Sequence, residues 1–308
     1  MCGIFGIVKE KEENLGKILI GAAERLTYRG YDSVGMATIS GDKIDLRKDV
    51  GKVDTVAEKF NMAEMSGQRG ITQLRWATFG APSQVNAQPH LDSDSLMVGA
   101  HNGNVVNNIE LREQFIAEGL TVRSENDGES CVHAVERYLK RGYETIDAIR
   151  LAYGDLAGDY AFVLGQINDD KLYAMKKGSG LVIGIGEGFT CLSSDLPSLL
   201  PLTRKIIRPK DGELAIEHIL QAVRAAELAA FPLAERDAIP LDAETVQILE
   251  EEAASATALA AFSRAALSGS GQQVSFADWL DAHGQNTKVK RKEVHKSIPQ
   301  DAAQLTFF

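Results

Sequence analysis

Cys2 is the residue whose type and position most directly suggest chemistry, and the run Gly3-Ile4-Phe5-Gly6-Ile7-Val8 follows it. Removal of Met1, which a small second residue permits, would leave a thiol and a free α-amine on one Cα. The amine titrates near ~7.7–8.0 and the thiol near ~8.5 when unperturbed, so the pair forms a nucleophile with its own base at neutral pH. N-terminal threonine nucleophiles divide the work in the same way. The competing reading is a cysteine near a frayed end with no role. Polar clusters follow at Tyr28-Arg29-Gly30-Tyr31-Asp32-Ser33, Arg75-Trp76-Ala77-Thr78, His101-Asn102-Gly103 and Asp127. Taken alone, Arg29 and Asp32 read as a solvated turn, and Trp76 as core or rim packing. Asn102-Gly103 reads as a type I′ turn and Asp127 as a helix N-cap.

The elements that must position these residues are legible in outline. Ile4, Phe5, Ile7 and Val8 predict a buried strand, with Gly3 and Gly6 allowing other backbone to approach. Helical spacing runs from Asn14, a candidate N-cap, to Leu26. A strand over 34–39 turns at Gly41-Asp42 into 43–48, and a weaker helix covers 53–62. Residues 70–76 predict a strand ending on Arg75 and Trp76. The irregular stretch 77–94 is long enough to suggest function. A strand over 96–100 ends at His101-Asn102-Gly103. Asn108 caps a helix stopped by Gly119, and Asp127 caps one stopped by Gly142; a third covers 145–153. Strands follow over 160–166, 171–175, 181–185 and 189–192, with a short helix over 194–200. Residues 205–207 and 213–216 read as closing strands around an Asp211-Gly212 turn. This order predicts an α+β fold with antiparallel sheets.

From 217 the composition turns Ala-, Leu- and Glu-rich. It predicts helices over 218–230 and 242–267, a flexible joint at Ser268-Gly269-Ser270-Gly271, a short helix over 276–283 and a basic tail from Lys288 to Lys296 that reads as a solvated arm. The sequence contains 308 residues, 44% hydrophobic and 25% charged, with net charge -10. That balance fits a globular chain and argues against nucleic acid as a partner, since phosphate binding needs clustered cations. No apolar run approaches the ~18 residues of a membrane span, and the N-terminal apolar run is too short for a signal peptide. The three cysteines, Cys2, Cys131 and Cys191, make neither a disulfide framework nor a metal site. The expectation is a reduced, cytoplasmic protein with no membrane partner, cofactor or metal. His90 and His133 read as surface or satisfied histidines, and Cys131 and Cys191 as small core residues.

The motifs, together with Ser124-Glu125-Asn126-Asp127, Gly178-Ser179-Gly180-Leu181-Val182-Ile183-Gly184 and Ser194-Asp195, occur in an order that resembles the class II (N-terminal nucleophile) glutamine amidotransferases. Within that family the likeness is to the glutaminase domain of glucosamine-6-phosphate synthase, and it covers roughly residues 2–216. The resemblance implies a four-layer αββα sandwich that cleaves glutamine to glutamate and passes ammonia to a synthase site. It implies Cys2 as nucleophile, and the Asn102 side chain with the Gly103 N–H as an oxyanion hole. Two such fixed donors can lower a barrier by ~3 kcal/mol each. Arg75 would hold the glutamine α-carboxylate, where a planar bidentate donor suits a planar acceptor, with Thr78 adding a hydroxyl. Asp127 would hold the α-ammonium, a role compatible with capping only if its second oxygen is free. Trp76 resembles a lid residue, while Arg29 and Asp32 would buttress the nucleophile.

Phe79 and Gln88 stand where the synthase pattern has histidine, which bears on loop closure and pocket polarity but removes no bond-breaking group. About ninety residues follow Glu217, too few for the synthase's two sugar-isomerase domains. The division is therefore a glutamine amidotransferase type 2 domain over 1–216 and a helical extension over 217–308. The leading expectation is a glutaminase subunit that acts on L-glutamine and supplies an ammonia-accepting synthase chain, with the extension docking that partner or a second copy in a homo- or hetero-oligomer. The alternatives are an N-terminal nucleophile amidohydrolase for another amide, which Arg75, Thr78 and Asp127 speak against, and a non-catalytic scaffold with a relic pocket.

Overall fold

The computed structural model describes residues 2–212, 214–217 and 239–240. In chain order its elements are β1 (Gly3–Asn14), α1 (Gly16–Arg25), β2 (Ser33–Ser40), β3 (Lys43–Val50), α2 (Val53–Lys59), β4 (Ser66–Arg75), β5 (His90–Leu91), β6 (Met97–Val105), α3 (Asn108–Ala117), α4 (Asp127–Leu139), α5 (Thr145–Asp155), β7 (Gly158–Gln166), β8 (Leu172–Lys177), β9 (Val182–Gly186), β10 (Phe189–Ser193), β11 (Lys205–Ile207), β12 (Leu214–Glu217) and β13 (Ile239–Pro240). They form two sheets, ordered β13-β11-β9-β10-β1-β4-β2-β3 and β12-β8-β7-β6-β5. Neighbouring strands run antiparallel in both.

The period-2 alternation of strand side chains decides what each sheet face meets. On β1, Phe5 and Ile7 join Leu15 and Leu19 of the α1 segment and Val56 of α2. Ile4 and Val8 point the other way, to pack with Val98 and Ala100 of β6 and Ala161 and Val163 of β7. The outer face of the second sheet gives Tyr160 and Phe162 to Phe115, Val132 and Ile149 of α3, α4 and α5. Helices, sheet, sheet and helices therefore stack as four layers, the αββα sandwich, with three apolar seams. Cys131 and Cys191 are buried in the two outer seams as small core residues.

Several local expectations need correction. β11 and β12 are not a hairpin about Asp211-Gly212: β11 pairs β9 in the first sheet, and β12 pairs β8 in the second. The intervening residues carry the chain between layers, a step that turn chemistry alone does not reveal. Asn14 is not the N-cap position of α1, which is Leu15, although its Oδ1 accepts the Gly16 N–H at 3.0 Å. Asn107, not Asn108, precedes α3, and its side chain is engaged by Asp155 O and Ala157 N–H. Asn126, not Asp127, caps α4 by accepting the Gly128 N–H at 2.8 Å.

In the stretch read as a helical extension, the described residues Ile239 and Pro240 pair with Ile206 and Lys205 as a short strand. The helices expected over 218–230, 242–267 and 276–283, the joint at 268–271 and the basic tail lie outside the described residues. Among the described residues no helix is long and apolar enough to cross a membrane.

Candidate active site

Alternation also delivers the site. On β1 the even positions face the second sheet, so Cys2 continues the series of Ile4 and Val8. On β4 the odd positions do, so Gln73 and Arg75 follow Ile71, and on β6 Asn102 follows Val98 and Ala100. The β1–β4 register, which sets Gly3 opposite Leu74, brings Cys2 beside Arg75. The apolar inter-sheet seam thus ends in a polar cap, where Gln73 crosses between sheets to donate to His101 O at 3.4 Å.

Cys2 is buried, and its Sγ lies 3.4 Å from the Trp76 N–H and 3.7 Å from Trp76 O. Burial pushes its thiol up, against the Trp76 N–H and the Arg75 charge, while Asp127 pushes it further up. Arg75, Asp127 and Cys2 are therefore close enough to act on one another electrostatically. Arg29 Nε donates to Cys2 O, and Asp32 Oδ2 accepts the Ala77 N–H at 2.7 Å, so the loop before β2 grips both strand ends.

His101-Asn102-Gly103 is not a turn. It runs inside β6, with Gly103 opposite Tyr160 of β7 and φ at +110°, a conformation glycine alone takes readily. A Cβ there would stand 2.0 Å from Asp159 O. Asn102 is buried, and its Oδ1 lacks a partner among the described residues.

Arg75 has no exposed surface, yet among the described residues only Nη2 is satisfied, by the carbonyls of Phe79 and Gly80; Nε and Nη1 are buried and find no partner there. Because the backbone of Phe79 is what Arg75 uses, a phenylalanine in place of histidine leaves that bond available. Burial draws the guanidinium down, against the charges of Cys2, Asp127, Asp32 and Glu125. Asp127, the first residue of α4, accepts from His101 Nε2 at 3.1 Å and the Val105 N–H at 2.9 Å through Oδ2 alone. Its buried Oδ1 has no partner among the described residues. Burial opposes its ionisation, but the His101 ring and the Val105 N–H keep its carboxyl below the usual range. Buried donors and acceptors are almost always paired. A half-used guanidinium and a half-used carboxylate within mutual electrostatic reach match the carboxylate and ammonium of an α-amino acid.

Trp76 is 44% exposed and meets Tyr31 edge-on at 5.3 Å between centroids, which places it at the rim rather than in the core. Thr78 is exposed on the following loop. Sequence reasoning assigned no role to His101 or Asp195: the first bonds Asp127, and the second takes Arg29 Nη1 at 3.0 Å and the Tyr28 hydroxyl at 2.5 Å. The signals were present, in the histidine before Asn102-Gly103 and in Ser194-Asp195 after an apolar strand. His90 and His133 are buried and partnered, by Asn126 and by Glu129 and Glu136. A cavity of about 330 Å³ beside β3, lined in part by Lys48, His90 and Glu129, is separate from this cluster.

Residues 75–200 match a family described as a glutamine amidotransferase domain. The chain is 37% identical over 240 residues to glutamine–fructose-6-phosphate aminotransferase (isomerizing) of Thermococcus kodakarensis, covering 76% of this chain and 40% of that protein. It is 40% identical over 216 residues to the protein of that name from Pyrobaculum aerophilum, covering 69% and 36%. The chain thus spans about two-fifths of the length of the curated relatives it matches. Among solved structures, a glutamine phosphoribosylpyrophosphate amidotransferase from B. subtilis superposes with a TM-score of 0.58 at 22% identity, over 70% of this chain and 49% of that one, a likeness of fold.

Proposed function

We propose, since this chain belongs to the class II glutamine amidotransferases, that it hydrolyses L-glutamine to glutamate and ammonia and supplies the ammonia to a separate synthase chain. One observation carries the reading: beside the Cys2 thiol, the buried Arg75 Nε and Nη1 and the buried Asp127 Oδ1 have no partner among the described residues. Arg75 would take the α-carboxylate and Asp127 the α-ammonium, leaving the side-chain amide to reach Sγ.

With Met1 removed, the α-amine of Cys2 takes the thiol proton as sulfur attacks the amide carbon. The developing oxyanion is received by the Asn102 side-chain amide and the Gly103 N–H, fixed by β6 before charge appears. The amine returns the proton to the nitrogen, the C–N bond breaks and ammonia leaves. Water then cleaves the thioester, giving glutamate and the free thiol. Thr78 would bind the carboxylate edge, Trp76 would close over the pocket, and Arg29 and Asp32 would hold the nucleophile's strand end. We divide the chain into this domain over 1–216 and a segment over 217–308 that docks the ammonia acceptor or a second copy.

The test is the intact mass of the protein before and after incubation with a diazo-oxo-norleucine. Loss of Met1 and a single adduct that Cys2→Ala abolishes is expected. Retained Met1, or an adduct that persists in Cys2→Ala, overturns the reading. Co-purification, with the captured chain identified, tests the acceptor; a chain that never retains an ammonia-consuming synthase removes that part.

A further inference from the structure

We propose that Gln88 is a positioning residue: it locks the His101 ring as the neutral Nε2–H tautomer and so leaves the charge of the Asp127 carboxylate uncancelled, with Oδ1 open to the substrate ammonium. The last step rests on the glutamine reading above; the lock itself does not.

Donors and acceptors around the ring fix its tautomer. His101 N–H donates to Gln88 Oε1 at 2.7 Å. Only an oxygen can accept there, which fixes the orientation of the Gln88 amide. Its other arm, the NH₂ group, then lies 3.0 Å from His101 Nδ1. An amide NH₂ has donors and no available lone pair, so Nδ1 must be the bare nitrogen. The single proton of the ring sits on Nε2 and points at Asp127 Oδ2, 3.1 Å away. A doubly protonated ring would set N–H against N–H in a buried place, where an unmet donor is costly.

The amide cannot easily turn away. Lys48 Nζ donates to the carbonyls on both sides of it, Ala87 O at 2.5 Å and Pro89 O at 2.9 Å. Gly35, opposite Lys48 in the β2–β3 ladder, lets the Gln88 carbonyl approach where a Cβ would stand 2.2 Å from it. Gln88 itself is fully buried. Among the described residues, Asp127 of α4 bonds the ring and His90 of β5 lies within its electrostatic reach, while β4 sends the neutral Gln73 to the His101 carbonyl. Lys48 is engaged by the carbonyls of the 85–89 segment. A neutral relay brings Asp127 no competing cation. An acidic residue at 88 would instead accept from Nδ1–H, hold an imidazolium and neutralise the carboxylate meant for the ammonium.

The test is a nitrogen-15 spectrum of the histidine rings in the full chain. A bare Nδ1 and a protonated Nε2 at His101 at neutral pH is expected. A ring protonated at Nδ1, alone or with Nε2, overturns the lock. Gln88→Glu should give the imidazolium and raise KM for glutamine about tenfold at neutral pH with kcat within about twofold, the split expected when a binding contact weakens. That penalty should recede as pH rises and the ring deprotonates. An imidazolium formed with KM unchanged overturns the link to Asp127. Gln88→Met keeps the side-chain volume, removes the NH₂ that faces Nδ1 and should allow a proton on Nδ1 that the wild type excludes, so the lock is tested even if the glutamate variant fails to fold. Wild-type protein that shows the Nε2–H ring yet never hydrolyses glutamine would uphold the lock and overturn the hydrolase reading.

Discussion

Arg29 Nε donates to the carbonyl oxygen of Cys2 at 3.0 Å, while Nη1 of the same guanidinium reaches Asp195 Oδ2 at 3.0 Å. One side chain from the loop after α1 thereby ties the residue before β1 to Asp195, two residues past the end of β10. The carbonyl it holds belongs to the proposed nucleophile, so its bond sets the direction of the Cα–Cβ vector. Arg29→Met keeps the apolar stem and removes both bonds. A hydrogen bond to a charged group contributes about 1.5–3 kcal/mol, so kcat/KM for glutamine should fall about 10- to 100-fold with the far-ultraviolet spectrum unchanged. A variant of wild-type activity would mean that β1 alone holds Cys2 in place.

Arg75 offers a sharper separation of roles. Arg75→Lys keeps the positive charge beside Cys2 and loses the planar fork whose Nε and Nη1 are unpartnered. KM for glutamine should rise about 100-fold, near 3 kcal/mol of lost bidentate pairing. Alkylation of Cys2 by neutral iodoacetamide should stay within about threefold, because the charge that acts on the thiol remains. Glutamine turnover and alkylation falling in step would show that Arg75 serves the thiol and the 79–80 backbone rather than a substrate carboxylate.

How far the sequence could be read depended on whether local rules governed each residue. Cys2, Arg75 and Asn102 were legible as residues at the ends of apolar strands, but that they share one face follows from the register of the sheets. Asp127 was placed at the right helix end but in the wrong position, because Asn126 and Asp127 are both good cap residues. Only the tertiary bonds from His101 and Val105 decide which of them is free to cap. Asn102-Gly103 carries a turn signature, yet pairing with Ala161 and Tyr160 of β7 overrides it. Gln88 was legible only as a departure bearing on pocket polarity, since its partner His101 is set by long-range register. The wrong hairpin at 205–216 has the same cause: β9 and β8, not the turn, choose the partners.

Gly103 should be intolerant of any side chain. At φ +110°, with Asp159 O 2.0 Å from an added Cβ, Gly103→Ala strains the backbone and displaces β7. The cost should be about 3 kcal/mol or more, which for a domain of this size lowers Tm by at least about 6 °C. Gly21, inside α1 with nothing within 4 Å of its added Cβ, is the control. Gly21→Ala should raise stability by about 0.5–1 kcal/mol through helix propensity. Thermal melts read both, and equal shifts of the same sign would refute the strain at 103.

The helix that presents Asp127 is anchored by an ionic cluster whose contribution should follow pH. His133 is buried, with Nδ1 2.7 Å from Glu136 Oε2 and Nε2 3.4 Å from Glu129 Oε1. Burial alone would raise both carboxyls and lower the imidazole. The bonds between them prevail, holding Glu129 and Glu136 down at about 2 and His133 above its ordinary 6.5. The depressed carboxyls contribute stability that is complete above their unfolded value of 4.5 and is lost as pH falls toward 2. The raised histidine contributes stability that is complete below 6.5 and is lost as pH rises through its folded value. Both conditions hold between pH 4.5 and 6.5. In that window the Tm of wild type should exceed that of His133→Gln by the widest margin, and the margin should narrow on either side. Glu129 keeps the N–H groups of Arg123 and Ser124 in the variant, so α4 should still form. A margin that does not change with pH would mean that His133 stabilises α4 by packing against Phe115 and not by its charge.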